Sequence, residues 1–116
     1  QMAPTSLIGM KTQTSPYGRD AATAGHPIRM SEIIATLQSP VYVTRVTVNN
    51  VANLMKAKKA IYNAFKLQKE KKGFSFVEIL SMCPTHWKMA GKEACQFVGN
   101  EMAGYFTIKK FRDVDG

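Results

Sequence analysis

The chain has 116 residues, 45% of them hydrophobic, and 16 Lys and Arg against 8 Asp and Glu, for a formal net charge of +8. That length suits one domain with a modest core. Without an apolar run of about 18 residues, no membrane-spanning helix is expected. Cys83 and Cys95 are too few for a disulfide framework or a self-contained zinc site, so a reducing, cytoplasmic setting is expected.

The chain opens on Gln1, and QMAPTSLIGM has neither the basic start nor the apolar block of a signal peptide. It reads as beginning inside something larger. Residues 1–27 are rich in Thr, Ser, Gly, Pro and Ala without clear periodicity, the pattern of a functional loop or a disordered end.

Pro27 suits a first helical position, and Met30, Ile33, Ile34 and Leu37 follow at helical spacing, so a helix is expected over 27–38. Ser39-Pro40 ends it. The β-branched run Val41 to Val48 reads as a strand, and Asn49-Asn50 as a turn and helix N-cap. A long helix is expected over 50–71. Leu54, Ala57, Ile61, Ala64 and Phe65 fall on its core face, and Lys56, Lys58, Lys59, Lys66 and Lys69 on the other. Gly73 is the expected stop, and Phe74 to Met82 a second strand.

Strand, long helix, strand is a βαβ unit, so a parallel pair is expected. Ligands of such sheets sit beyond the carboxyl ends of the strands. The loops at 48–50 and 82–87 lie there, which puts Cys83 on the functional edge. A third helix is expected over 90–103, and YFTIKKF as a short final strand or docking arm.

The most chemical stretch is SMCPTHW, Ser81 to Trp87. Thiolates suit zinc and iron–sulfur centres, although a lone cysteine after a strand also serves as a small buried hydrophobe. Thr85 is a candidate helix cap, His86 a candidate proton shuttle beside the plainer reading of an exposed loop residue, and Trp87 packs the loop onto the core or stacks on a flat ligand. Cys95 sits in an apolar helical stripe and reads as core. His26 and His86 are not spaced as a metal pair. Asp20, Glu32, Glu78, Glu93, Glu101, Asp113 and Asp115 form no paired-carboxylate pattern, and Arg19, Arg29 and Arg45 are scattered.

The basic charge attracts acidic partners: nucleic acid, anionic membrane, phosphorylated ligands or an acidic protein. The lysine face of the long helix reads first as a solvated surface, without aromatic interleaving. No P-loop, dinucleotide-binding fingerprint, zincin motif or nucleophile elbow is present. The chain carries no complete catalytic apparatus.

Taken in order, QMAPTS, GMKTQTSPYGRD, HPIRMSE, the lysine-rich helix and GFSFVEILSMCPTHW resemble the beta subunit of 2-oxoacid:ferredoxin oxidoreductases, of the 2-oxoglutarate or branched-chain type. The resemblance covers nearly the whole chain and weakens after about Ala90. It implies a partial thiamine-diphosphate-binding fold of the α/β class, with parallel strands and flanking helices. The chain would be the C-terminal half of that domain: a loop-rich active-site segment over 1–27, then a βαβ core and C-terminal helix over 28–116.

The implied activity is oxidative decarboxylation of a 2-oxoacid to an acyl-coenzyme A with reduction of ferredoxin. The implied cofactors of the intact enzyme are thiamine diphosphate, Mg²⁺ and a [4Fe–4S] cluster. Gln1 matches the end of the family's Thr-Gly-Gly-Gln segment, which places Gln1 and Thr5 near the cofactor. Cys83 matches the fourth cluster cysteine. The Gly-Asp-Gly motif and the other three cysteines are absent from this stretch, so none of these groups is expected on this chain alone. Purified by itself, it is expected to show no 2-oxoacid-dependent dye reduction.

The partners implied are the alpha and other subunits, ferredoxin, the 2-oxoacid and coenzyme A, with no membrane. A small basic nucleic-acid-binding module is the alternative, which leaves the CPTHW loop without a task. Open strand edges and apolar faces predict self-association of the separate chain.

Overall fold

The computed structural model describes residues 5–114. In chain order the elements are α1 (Ala21–Ala24), α2 (Met30–Ala35), β1 (Pro40–Thr47), α3 (Val51–Lys69), β2 (Phe74–Leu80), α4 (Pro84–Trp87), α5 (Gly91–Phe97), a π-helical turn (Val98–Met102), α6 (Ala103–Tyr105) and β3 (Lys110–Asp113).

The two β-branched runs do pair in parallel, from Tyr42 opposite Ser75 to Thr47 opposite Leu80. The sheet order is β2-β1-β3. The expected parallel βαβ pair is joined by β3, which runs antiparallel to β1, with Tyr42 opposite Asp113 and Val43 opposite Arg112. What is observed is a mixed three-stranded α/β sheet.

Side chains alternate across β1. Tyr42, Thr44 and Val46 face α3, where Val46 packs with Ala57 and Ala60 against Val48 and Val77. Val43, Arg45 and Thr47 point to the other layer, built by α2, the N-terminal loops and the C-terminal helices. The larger apolar cluster lies there: Leu80, Val98, Met102 and Phe106, with Leu7, Met82, Trp87, Phe97 and Tyr105 packed against it. Burying Phe106 alone contributes about 1.5–3 kcal/mol.

Asn50 caps α3 as expected, its side chain accepting from the Asn53 N–H at 2.8 Å. Two expectations for α3 fail. Its buried positions are Ala57, Ala60 and Leu67, whereas Leu54, Ile61 and Phe65 are exposed, because the small alanines let the helix lie close on the sheet. Its end is made by Lys71 in the left-handed conformation (φ 57°), with the Lys72 N–H reaching the Leu67 carbonyl at 2.9 Å. Gly73 serves a different need. At φ 144° any Cβ there would meet Val41 Cγ1 at 2.8 Å, so the strand entry requires glycine.

α2 is shorter than the expected 27–38 span and is turned the opposite way. Pro27 is spent outside it, its carbonyl accepting from the Tyr105 hydroxyl at 2.9 Å. Thr36 closes the other end, its hydroxyl donating to the Ile33 carbonyl at 2.6 Å. The polar side of α2 faces the sheet: Ser31 is fully buried, while Met30, Ile33 and Leu37 are exposed. The expected third helix over 90–103 is α5, the π turn and α6 in succession. At the π turn Gly99 lies so near Asn49 that a Cβ would come within 2.8 Å of its side-chain amide. The expected final strand begins only at Lys110, near the end of YFTIKKF, and runs on to Asp113.

Candidate functional site

The site is built at the carboxyl ends of β1 and β2. β2 ends at Leu80, and three residues later Cys83 is the N-cap of α4. Pro84 occupies the first turn, where its missing N–H costs nothing. The Cys83 carbonyl accepts from the Trp87 N–H at 2.9 Å, and the Pro84 carbonyl from the Met89 N–H at 3.0 Å. Lys88 in the left-handed conformation then reverses the chain. The expected cap at Thr85 does not form. Thr85 lies inside α4 and is exposed, because the chain enters the helix two residues earlier.

The second wall comes from the N-terminal segment, which is ordered by one buried cation. Arg19 donates to the carbonyls of Gly25 at 3.0 Å, Ala24 at 3.2 Å and Ser6 at 3.3 Å. The Gly9 N–H donates to the Arg19 carbonyl at 2.8 Å. The two walls are joined where the Gln13 N–H donates to the His86 carbonyl at 3.0 Å. The long Thr/Ser/Gly opening is therefore a folded loop over its described residues.

Between these walls is a cavity of about 170 Å³ lined by Thr5, Ser6, Met10, Ser81, Cys83, Trp87 and Met102. Thr5 and Cys83, two residues singled out from the sequence, thus meet in one space. Gln1, the third, lies outside the described residues. Trp87 forms part of the wall and packs edge-to-face on Phe97, with ring centroids 5.4 Å apart. His86 is exposed and joins the site through its backbone. Ser6, Met10, Ser81 and Met102 were not singled out, because each is common in turns or cores and carries no motif.

The cavity offers three hydroxyls, one free thiol and two thioethers over an indole. Thiolate and thioether donors suit Cu(I), zinc and iron–sulfur clusters. Among the described residues no group of three or more His, Cys, Asp or Glu is arranged to hold a metal ion. Cys83 therefore does not form a complete metal site with the described residues. Cys95 is half-buried rather than core and lines a different hollow of about 340 Å³ with Asn49, Asn50, Lys92, Gln96, Gly99 and Asn100. The fully buried positions of α5 and the turn after it are Ala94 and Val98.

The arginines and carboxylates are less scattered than the sequence suggests. Arg45 is fully buried in mid-strand. It donates to Glu78 at 2.8 Å, to both oxygens of Glu32 at 2.5 and 2.9 Å, and to the Thr107 carbonyl at 3.2 Å. The Phe106 and Phe111 rings each lie 5.2 Å from its guanidinium. Ser31 donates to the same Glu78 oxygen at 2.5 Å. The hydrogen bond from Arg45 holds the Glu32 carboxyl below its ordinary value of 4.5, against the opposing effect of burial. Burial pulls Arg45 down, but its bonds to Glu32 and Glu78 leave it raised. Four hydrogen bonds from Arg45 tie two carboxylates and a carbonyl together, so this is an ion lock between α2 and the sheet rather than a reactive centre. A charged residue midway along each of two buried parallel strands was the signal that could have revealed it.

No protein-family model matches the chain, and no solved structure does. Among curated proteins, it is 44% identical over 113 residues to ketoisovalerate oxidoreductase subunit VorA of Methanothermobacter marburgensis, an alignment covering 97% of this chain and 24% of that protein. The same subunit of Methanothermobacter thermautotrophicus is 42% identical over the same shares. The 2-oxoglutarate synthase subunit KorB of Archaeoglobus fulgidus is 35% identical over 89 residues, covering 77% of this chain and 29% of that protein. The chain spans about a quarter of the length of these relatives.

Proposed function

Because the chain belongs to the family of 2-oxoacid oxidoreductase subunits, we propose that it is the C-terminal part of a beta subunit with a thiamine-diphosphate-binding fold. The intact enzyme oxidatively decarboxylates a 2-oxoacid, forms an acyl-coenzyme A and passes the electrons to ferredoxin. The thiamine group supplies the electron sink for decarboxylation when bound. This chain supplies one edge of the surroundings: Gln1 and Thr5 on the cofactor side, and Cys83 as one thiolate ligand of a [4Fe–4S] cluster whose other ligands lie outside these residues.

The observation that carries this reading is the shared cavity of Thr5 and Cys83 at the carboxyl edge of the parallel strands. A residue assigned to the cofactor and one assigned to the cluster stand on opposite walls of one small space. That suits electron transfer between neighbouring centres.

The test is an anaerobic assay of the intact protein with its co-purifying subunits. Ketoisovalerate and 2-oxoglutarate are supplied in turn with coenzyme A and a viologen dye. Reduction that needs both a 2-oxoacid and coenzyme A is the expected result. No reduction with any 2-oxoacid, by a preparation with its metal and thiamine restored, would overturn the proposal.

A further inference from the structure

We propose that the outer face of α3 is the docking surface for an acidic amphipathic helix belonging to another subunit, with Lys58 at its centre. This goes beyond the proposed function and rests on it for the existence of an assembly.

α3 buries Ala57, Ala60 and Leu67 on the sheet. Its far side is not the solvated lysine face that the sequence suggests. Val51 is 77% exposed, Tyr62 68% and Phe65 69%, and Leu54, Met55 and Ile61 are exposed beside them. The absence of aromatic interleaving inferred from the sequence is thus corrected. At 100° per residue these six side chains form one stripe from Val51 to Phe65, about 21 Å long. A continuous apolar stripe on a well-formed helix marks a surface that something covers.

The charges identify the occupant. Lys58 is placed three residues from Met55 and Ile61 and four from Leu54 and Tyr62, so it stands inside the stripe. Lys59 and Lys66 border it on one side, and Lys69 continues it. A partner helix lying in the stripe desolvates the Lys58 ammonium, which is costly unless a carboxylate meets it. A second copy of this chain cannot supply that carboxylate. Val51 and Phe65 are each seven positions from Lys58, so a two-fold antiparallel pairing on the stripe sets Lys58 against its own copy. Nucleic acid matches the charge but leaves Val51, Leu54, Met55 and Ile61 without apolar contact. An acidic, apolar-faced helix of a different subunit satisfies both the stripe and the lysines.

The experiment places the photo-cross-linker p-benzoylphenylalanine at Tyr62 of the intact protein in its assembly and identifies the linked peptides by mass spectrometry. Lys58→Glu is tested beside it by the affinity of subunit association. The expected result is cross-linking to one helical peptide of another subunit that carries Asp or Glu, and association weakened at least tenfold by Lys58→Glu but not by Lys58→Arg. Linkage to a second copy, to the same polypeptide or to nucleic acid would overturn the proposal, as would no linkage. The 2-oxoacid assay on the unmodified assembly separates the two failures. Activity without the cross-link sinks this inference alone, and the cross-link without activity sinks the proposed function alone.

Discussion

The two faces of the sheet are held by opposite means. Toward α3 the contact is thin and apolar, with Val46 and Val77 meeting the methyl groups of Ala57 and Ala60. Toward α2 it is thick and partly ionic, with Arg45, Glu32, Glu78 and Ser31 locked together above the buried Phe106, Val98 and Met102. The ionic layer tolerates little change, since each member satisfies another. The apolar layer depends on closeness alone. The layer that needs geometry is also the one that carries the Cys83 cavity.

The largest way to break this contrast is Arg45→Ala. It leaves two carboxylates facing a buried void and should cost about 3–5 kcal/mol, read as loss of cooperative unfolding in denaturant. Adding Glu32→Gln and Glu78→Gln should recover a substantial part, because the uncompensated charge is then gone. If the triple variant is no better than Arg45→Ala, the lock is packing rather than electrostatics. On the other face, Ala60→Leu forces α3 off the sheet and should cost about 1–3 kcal/mol, with no effect on the environment of Trp87. A shift in Trp87 fluorescence would show that the two layers are not separable.

Acid sharpens the same comparison. The folded Glu32 carboxyl is held below its ordinary value of 4.5. Its contribution is therefore complete above the unfolded value and is lost as pH falls through the lower folded one. Stability should decline below about pH 4.5, and the Glu32→Gln variant should lose part of that slope. An identical slope in the variant would remove Glu32 from the account. The smallest effect concerns the end of α3. Lys71→Gly relieves a left-handed side-chain residue and should stabilise by about 0.5–1 kcal/mol, seen as a raised Tm.

Much of the α3 side was legible in the sequence. Long periodic and β-branched segments mark the bounds of β1, α3 and β2 to within two residues, because local preference sets them, but the face that α3 buries is set by the close approach of Ala57 and Ala60 and did not follow the larger apolar residues. The α2 side was not. The spacing of Met30, Ile33 and Leu37 marks a helix but not its buried face, which is set by Arg45, 13 residues from Glu32, and by Glu78, 47 residues from Ser31. β3 is short and is defined by pairing with β1, which no local pattern in Lys110–Asp113 announces. Of the cavity, the motif around Cys83 was readable. Ser6, Met10 and Met102 reach it from distant segments through Arg19 and the C-terminal helices, and long-range packing leaves no mark in sequence spacing.

The most direct measurement is the iron content and electron paramagnetic resonance spectrum of the intact protein with Cys83→Ala, purified without air and shown to be folded. The expected result is loss of about four iron atoms per chain, or conversion of one [4Fe–4S] signal to a three-iron form. Iron content and spectra equal to those of the unaltered protein would contradict it, and Cys83 would then be a plain helix-capping residue of the loop.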